Sequence, residues 1–248
     1  MTQSFLTYLN TGLAGLQLEL TKLQKEQLYR YYERVLERNQ VMNLTAITEE
    51  EAFVQKHIVD SLALVEMEEL RALLNEAQQK PLRLMDVGTG AGLPGLILKI
   101  AFPALQVTLF DALQKRLRFL DEVIAELSLK NVSTLHGRAE DVGRMPEHRE
   151  AYDLVVSRAV ANLSTLAEYC LPLTKQGGYF AAYKSAEVED ELAAAKSAIA
   201  VLGGRMCCCE TYTLPGSEYG RSLLLIKKEK TTPKAYPRRS GIPAKQPL

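Results

Sequence analysis

Hydrophobic positions change their spacing along this chain, from a helical period near the start to alternating strands and helices later. Apolar residues recur near helical spacing between residues 16 and 38, at Leu16, Leu20, Leu23, Leu28, Tyr31, Tyr32, Val35 and Leu36. Thr21 and Gln24 have capping-box spacing, which predicts that a helix restarts there, and Thr48 with Glu51 predicts a second helix start. We therefore expect a helical N-terminal extension over residues 1–80.

From Leu82 onward the pattern alternates between strands and helices. Amphipathic runs separate five strand-like runs, which are LRLMDVG, QVTLFDA, VSTLH, YDLVVSRA and GGYFAAYK. Such alternation predicts an α/β fold with a doubly wound, mostly parallel sheet. Two further runs, RMCCCETYTLP and RSLLLIKKEK, are joined by GSEYG, which predicts a hairpin that adds an antiparallel edge. We expect residues 81–230 to form this central domain.

The last stretch, TTPKAYPRRSGIPAKQPL, has four prolines and no periodicity. From Lys227 to Leu248 there are seven Lys or Arg and one Glu, a net charge of +6 in a chain whose formal net charge is zero. Prolines at this density predict no helix and little burial. We expect residues 231–248 to be an extended basic tail suited to nucleic-acid phosphates.

Composition narrows the class of protein. The 248 residues are 47% hydrophobic and 24% charged, which is typical of a globular protein with one sizeable core. The N-terminus lacks a secretory pattern, and no apolar run is long enough to span a membrane. Neighbouring strand residues point to opposite faces, so the run Cys207–Cys209 predicts no metal site. We expect a cytoplasmic monomer with reduced thiols.

The stretch RLMDVGTGAGLPGL predicts a ligand-binding turn. An acid ends a buried strand, four glycines lie within eight residues, and an apolar run follows, as in turns from a strand into a helix whose first amides face a ligand. No Gly-Lys-Ser/Thr follows, which excludes a P-loop. A dinucleotide site is possible by pattern alone, because Gly90, Gly92 and Gly95 satisfy G-x-G-x-x-G. That frame places Gly95 inside the helix and Pro94 in its first turn, where pyrophosphate donors are lost.

The alternative frame, D-x-G-x-G-x-G over residues 86–92, suits S-adenosylmethionine. Asp86 can hold the ammonium group or a hydrating water of the amino-acid moiety, and glycine backbone can pass close under the adenosine. Asp111, at the end of the next predicted strand, suits the two ribose hydroxyls. Ala139 and Glu140, in the stretch GRAED, are expected at the adenine edge. A methyl donor needs these contacts and no phosphate site.

Several stretches together carry a resemblance to a known family. They are RNQVMNLTAIT, HIVDSLAL, DVGTGAGLPGL, DALQKRLRFL, RAED, VVSRAVANLSTL and TPKAYPRRSGIPAKQPL, in order from about Arg38 to the C-terminus. The chain resembles the glucose-inhibited-division protein B family, the small-subunit ribosomal RNA guanine-N7 methyltransferases. The resemblance implies a Rossmann-like class I methyltransferase fold and S-adenosylmethionine as cofactor. It also implies ribosomal RNA, free or in a ribonucleoprotein particle, as partner. Many relatives have Phe at the position of Leu93.

The resemblance implies cofactor contacts at Gly88, Leu93, Ala139, Glu140 and Arg158, with the segment from Asp111 to Leu113 nearby. The complete predicted cofactor site comprises Asp86, Gly88, Gly90, Gly92, Leu93, Asp111, Ala112, Leu113, Ala139, Glu140 and Arg158. Predicted substrate contacts are Arg158, Lys184, Lys234, Arg238 and Arg239. Because the glycine loop and its acids lie outside the tail, we expect methyl-donor binding to be independent of the tail.

No catalytic acid or base is predicted. Guanine N7 has an in-plane lone pair and no proton, so direct in-line attack on a sulfonium methyl needs alignment and exclusion of water rather than a base. None of the cysteines lies near a predicted site loop to act as a nucleophile. His57 is expected to be a structural group, and Tyr31 and Tyr32 to be core residues.

Arg158 follows a predicted strand at the sheet edge where open α/β sheets bind ligands. We expect it to brace the cofactor carboxylate or the incoming nucleotide; the alternative is a salt bridge with Asp153 or Glu140. Three other functions are compatible with parts of the sequence. The basic tail argues against a small-molecule methyltransferase, and the intact glycine loop argues against a non-catalytic ribosome-binding module. A preference for NADH over S-adenosylmethionine would indicate a dehydrogenase.

Overall fold

A computed structural model describes residues 1–77, 79–215 and 217–248 and contains one seven-stranded sheet. Its strands are β1 (Arg83–Val87), β2 (Gln106–Asp111), β3 (Val132–His136), β4 (Tyr152–Arg158), β5 (Thr174–Ser185), β6 (Gly204–Thr213) and β7 (Gly220–Lys228). Their order is β3-β2-β1-β4-β5-β7-β6. The first five strands pair in parallel, and β7 pairs antiparallel with β5 and β6. The predicted fold is confirmed; Gly216, in the predicted hairpin turn, lies outside the described residues.

Helices cover both faces of the sheet, as expected for parallel strands whose sequences are nearly continuous apolar runs. These helices are α6 (Gly95–Ala101), α7 (Gln114–Glu126), α8 (Ala139–Val142), α9 (Leu163–Cys170) and α10 (Glu189–Val201). Successive β1 side chains contribute to different cores, since Leu84 belongs to one hydrophobic cluster and Met85 to the other. Among the described residues, no helix combines the length and apolarity needed to cross a bilayer.

The N-terminal extension is helical, as predicted. It contains α1 (Gln3–Gly15), α2 (Lys22–Met42), α3 (Glu50–Phe53), a π-helical turn (Val54–Val59), α4 (Asp60–Leu62), a 3₁₀ turn (Ala63–Glu66) and α5 (Glu68–Glu76). The Thr21–Gln24 capping box is confirmed, with both of its reciprocal hydrogen bonds present. The predicted extension includes α1, but the periodic pattern begins at Leu16 and gives no bounds for this helix.

The predicted capping box at Thr48 and Glu51 is wrong. Helix α3 begins at Glu50, and its N-cap residue Glu49 makes no capping hydrogen bond through its side chain. The Thr48 carbonyl instead accepts a hydrogen bond of 2.8 Å from the Tyr32 hydroxyl. The Glu50 carboxylate accepts hydrogen bonds from the hydroxyls of Thr2 and Ser4. Tertiary contacts between α1, α2 and α3 therefore set this helix start in place of local capping.

The N-terminal helices share a hydrophobic core with the sheet. Leu9, Tyr31 and Phe53 belong to the same buried cluster as Leu84 and Leu96. The buried Tyr31 hydroxyl also donates a hydrogen bond of 2.8 Å to the Ala91 carbonyl in the glycine loop. Helix α2 therefore holds the glycine loop through this hydrogen bond and also packs against the sheet.

The C-terminal tail differs from the prediction. Thr232, Pro237 and Pro243 are buried, and residues Ile242–Lys245 form a short helix, α11. The prediction that the tail has no helix is therefore wrong, and three of its residues are buried although most are exposed. A proline is tolerated in the first turn of a helix because its missing N–H has no intrahelical partner there. Pro243 lies in that first turn of α11, so the proline content did not prevent helix formation.

Removing the Tyr31 hydroxyl tests the link between α2 and the glycine loop. Tyr31→Phe leaves a buried carbonyl acceptor without its donor, so we expect the free energy of unfolding to fall by about 1–3 kcal/mol. Amide exchange at Gly92 and Leu93, whose N–H groups both donate to the Thr89 carbonyl, should accelerate. Tyr32→Phe is the matched control, because its hydroxyl binds Thr48 outside the loop. Equal loop exchange in the two variants would contradict the proposed support.

Candidate active site

A cavity of about 520 Å³ lies at the carboxyl ends of β1, β2, β3 and β4. This is the edge where open α/β sheets bind ligands, and the volume falls within the range of about 300–1,000 Å³ typical of small-molecule sites. Predicted cofactor residues supply much of its lining, namely Gly88, Asp111, Ala112, Leu113, Ala139 and Glu140. The structure therefore brings together residues from three separate strand-end loops.

The glycine loop has a backbone that side chains would strain. Gly88, Gly90 and Gly92 have φ of +74°, +58° and +103°, in the left-handed region that favours glycine. A Cβ on Gly88 would lie 2.4 Å from Val160 Cγ2, so Gly88 allows the turn after β4 to approach closely. A Cβ on Gly90 would meet only the Gly88 carbonyl, at 3.9 Å. Gly90 therefore borders open space, whereas a Cβ on Gly92 would meet Leu96 and Leu120.

Asp86 is buried beneath the loop rather than in the cavity lining. Its Oδ2 accepts hydrogen bonds from Thr89 Oγ1 at 2.6 Å and from the Gly95 amide at 2.8 Å. Burial raises the pKa of the Asp86 carboxyl to about 6, and these two hydrogen bonds oppose the shift. Its Oδ1 is buried with no hydrogen-bond partner among the described residues. The carboxyl group therefore fixes the glycine loop to the start of α6 from outside the cavity.

Asp111 connects the glycine loop to the turn after β2. Its Oδ2 accepts a hydrogen bond of 2.9 Å from the Gly90 amide, and its Oδ1 accepts one of 2.8 Å from the Leu113 amide. Arg116 Nη1 lies 3.4 Å from Oδ2. A carboxylate offers about four acceptor positions, so Asp111 can still accept hydrogen bonds from ligand hydroxyls. The side chain thus both shapes the site and lines it.

Glu140 brings the C-terminal tail to the cavity. Its Oε1 accepts a hydrogen bond of 2.8 Å from the Gly241 amide. Gly241 and Ala244 line the same cavity as Glu140. The tail therefore forms part of the cavity wall, although it is distant in sequence from the other lining segments. The sequence predicted cofactor contacts only from those other segments.

Five of the eleven predicted cofactor residues do not line this cavity, namely Asp86, Gly90, Gly92, Leu93 and Arg158. Leu93 is buried in the large core that includes the N-terminal helices. Arg158 Nη1 donates to the Lys56 carbonyl at 2.9 Å and forms an ion pair with Asp60 Oδ2 at 2.8 Å. The predicted alternative, a salt bridge from Arg158 to Asp153 or Glu140, is wrong in its partner. The π-helical turn supplies the Lys56 carbonyl, and Asp60, the first residue of α4, is the ion-pair partner instead.

His57 lies in the π-helical turn and is fully engaged. Its Nε2 is 2.7 Å from Thr45 Oγ1, and its Nδ1 is 3.3 Å from Arg158 Nη2. Burial, followed by the nearby Arg158 guanidinium, lowers the pKa of His57 to about 3. The imidazole is therefore neutral at pH 7. These contacts agree with the interpretation of His57 as a structural group.

The predicted substrate residues fall into two groups. Lys184 Nζ donates to the Ala161 carbonyl at 2.7 Å and pairs with Glu191 at 2.5 Å, and Arg238 pairs with the buried Glu168. Lys234 and Arg239 are exposed, and among the described residues neither side chain makes a hydrogen bond or ion pair. Only the second group is available to bind a partner without breaking an internal contact.

The sequence missed other residues that line the cavity, including Phe110, Arg138, Val160 and Tyr169. Phe110 and Arg138 directly precede predicted residues, so strand-end position could have identified them. Tyr169 lies on α9 and reaches the cavity only through packing of α9. Within the described parts of the chain, no group of three His, Cys, Asp or Glu side chains is arranged to hold a metal ion.

Comparisons with known proteins agree on the family. The sequence model of the family described as rRNA small subunit methyltransferase G (GidB) matches residues 24–214. A ribosomal RNA small subunit methyltransferase G from Lachnoclostridium phytofermentans is 49% identical over 237 residues, covering 96% of this chain and 95% of that protein. The protein of the same name from Alkaliphilus oremlandii is 47% identical over 240 residues, covering 97% of each chain.

A solved structure supports the fold alone. A putative sarcosine dimethylglycine methyltransferase from Galdieria sulphuraria is similar with a TM-score of 0.50 at 12% sequence identity, covering 70% of this chain and 89% of that one. Fold, cavity and relatives together define an S-adenosylmethionine-dependent methyltransferase. The chain belongs to the rRNA small subunit methyltransferase G family. The predicted resemblance, the predicted class of rRNA methyltransferase and the predicted cofactor are confirmed.

The low pKa of His57 predicts a pH dependence of stability. Because the unfolded chain protonates His57 near pH 6.5 and the folded chain near pH 3, its contribution to stability is lost as pH falls through that window. The unfolding free energy of the wild type should therefore fall more steeply below pH 6.5 than that of His57→Gln, by up to about 1.4 kcal/mol per pH unit. Urea unfolding at several pH values measures the difference.

His136→Gln is the matched control, because His136 is exposed at the end of β3. Its stability profile should run parallel to that of the wild type. A His57→Gln profile that also ran parallel to the wild type would contradict a neutral, buried His57.

Proposed function

We propose that this chain transfers a methyl group from S-adenosylmethionine to N7 of a guanine in small-subunit ribosomal RNA, by direct in-line attack without a general base. One observation carries the proposal. Gly88 of the positive-φ glycine loop and two carboxylates, Asp111 and Glu140, line one cavity at the carboxyl edge of the sheet. Membership of an rRNA methyltransferase family supports the choice of substrate.

The residues present fit the cofactor. Asp111 would accept hydrogen bonds from the ribose hydroxyls, and Ala139 with Glu140 would face the adenine edge. The open space beside Gly90 leaves room for adenosine that a side chain would fill. Asp86, which lies outside the lining, would act by holding the glycine loop through Thr89 and Gly95. Ala112 and Leu113 complete the wall on the β2 side.

The remaining predicted cofactor residues hold other parts of the site in place in this proposal and do not line the cavity. Gly92 and Leu93 pack the far side of the loop, and Arg158 anchors the end of β4 through Asp60. Arg158 is directly followed by Ala159, which lines the cavity together with Val160. We therefore assign Arg158 a positioning role for this turn, which the cofactor or the incoming nucleotide would contact.

The chemistry requires alignment. The cofactor, when bound, supplies an electrophilic sulfonium methyl group. Guanine N7 presents a lone pair and no proton, so the chain does not need to remove one. Apolar side chains in the lining, among them Phe110, Val160 and Tyr169, would exclude water and orient the two reactants. Burial raises the pKa of the Cys170 thiol well above its ordinary value, which argues against a nucleophilic role for it.

Contacts with RNA are proposed for the exposed cations. Lys234 and Arg239 lie on the tail, and their side chains are exposed. Arg138 lines the cavity. Cations at these positions would neutralise RNA phosphates, and their contribution to RNA affinity would fall as the salt concentration rises. Lys184 and Arg238 act instead through their ion pairs, by fixing the Ala161 carbonyl and the tail.

Transfer of a labelled methyl group tests the substrate. The chain is incubated with donor carrying an isotopic methyl label and small-subunit ribosomal RNA, either free or in a ribonucleoprotein particle. We expect label on one guanine, with strand cleavage there after the reduction and aniline treatment that is selective for N7-methylguanosine. Label on another base or another atom of guanine would contradict the proposal. Comparison of the two RNA preparations identifies which one the enzyme accepts.

Loss of the Asp111 carboxylate tests the cofactor site. Asp111→Ala should weaken binding of S-adenosylmethionine by about 1–3 kcal/mol, the scale of a hydrogen bond to a charged group lost from a buried site. Isothermal calorimetry measures the affinity, and thermal unfolding verifies that the variant is folded. Asp121→Ala is the control, because Asp121 is exposed on α7 and pairs with Thr134. Unchanged affinity in a folded Asp111→Ala protein would remove Asp111 from the site.

A further inference from the structure

The tail, residues 231–248, contributes Gly241 and Ala244 to the wall of the cofactor cavity. We propose that the docked tail is a structural part of the methyl-donor site and that the Arg238–Glu168 ion pair positions it. This inference rests on the cofactor site of the proposed function. It differs from an RNA-binding role for the tail, because it requires the tail for donor binding in the absence of RNA.

The first anchor of the tail is a buried ion pair. Glu168 on α9 is 0% exposed. Its Oε1 accepts from the Arg238 backbone amide at 2.7 Å and from Nε at 3.0 Å, and its Oε2 accepts from Nη2 at 2.6 Å. A buried carboxylate is strongly destabilising without such partners. The pairing therefore fixes the position of Arg238, three residues before Gly241.

Other anchors lie on either side of that pair. Arg149 donates to the carbonyls of Thr232 at 2.8 Å and Tyr236 at 2.9 Å. Thr165 Oγ1, on α9, donates to the Pro243 carbonyl at 3.1 Å. Backbone carbonyls of the tail are thus satisfied by side chains of the central domain. The tail is held along its length, unlike an ordinary frayed terminus.

The contact with Glu140 couples the tail to the cavity. Gly241 has φ of +82°, and a Cβ there would meet nothing within 4 Å, so glycine is required for backbone direction and not for space. That direction aims its amide at Glu140 Oε1, at 2.8 Å. The hydrogen bond restrains a carboxylate that lines the cavity. By linkage, a donor that binds the restrained carboxylate also stabilises the docked tail.

Two alanines of the tail offer a matched test. Ala244 lines the cavity and Ala235 does not, and both are exposed, so enlarging either side chain leaves the core unchanged. Affinity for S-adenosylhomocysteine is measured by calorimetry without RNA. Ala244→Leu should raise the Kd about tenfold or more, equivalent to about 1.4 kcal/mol, because its side chain would occupy cavity space. Ala235→Leu should leave the Kd within about twofold of the wild type, a change of less than 0.5 kcal/mol by the same relation.

The ion pair is tested with a charge-neutral pair of substitutions. Glu168→Gln/Arg238→Gln removes both charges, so no buried carboxylate is left unpaired. We expect weaker binding of S-adenosylhomocysteine and faster tryptic cleavage after Arg239 and Lys245. In the wild type, the ligand should slow that cleavage. Arg239→Gln, one residue along and without an internal partner, should bind the ligand as the wild type does.

Wild-type affinity in Ala244→Leu, or unchanged tail cleavage in the wild type with and without ligand, would overturn the inference. Failure of the unmodified chain to bind S-adenosylhomocysteine would instead overturn the proposed cofactor site, and this inference with it. Because every binding measurement omits RNA, an error in the proposed RNA target leaves these results interpretable.

Discussion

The hydrogen bonds of Asp86 fix the turn on which the candidate site depends. This buried carboxyl group accepts from Thr89 Oγ1 and from the Gly95 amide, so it ties the start of the glycine loop to the start of α6. A carboxyl group buried without hydrogen bonds would cost free energy, so this loop conformation is strongly preferred over conformations that lack these two hydrogen bonds. The positive φ values of the loop glycines then follow, and only glycine adopts them without strain.

Other parts of the site repeat the same interaction. Asp111 accepts from the Gly90 amide, and Glu140 accepts from the Gly241 amide. In each case a carboxylate near a strand end holds the backbone of a segment distant in sequence. Hydrogen bonds with one charged partner are stronger than neutral ones, so a few of them suffice to assemble the cavity. The N-terminal helices and the tail are part of this assembly, through Tyr31 and through Arg238.

Sequence patterns predicted the features that local chemistry determines. The strands, the hairpin edge and the Thr21 capping box depend on neighbouring residues, and all were found. The start of α3, the Asp60 partner of Arg158 and the docking of the tail depend on contacts between distant segments. Nothing local distinguishes Gly241 as a donor to Glu140, so the sequence could not place the tail in the cavity wall. The proline content of the tail predicted an extended segment. It carries no information about Glu168, the buried residue on α9 that binds Arg238.

A crystal structure of the complex with S-adenosylhomocysteine tests the location of the cofactor site most directly. We expect the ligand in the cavity of about 520 Å³, with its ribose hydroxyls hydrogen bonded to Asp111 and its adenine beside Ala139, Glu140 and the tail. Ligand density at any other position on the chain, or a bound ligand whose ribose does not contact Asp111, would contradict this assignment.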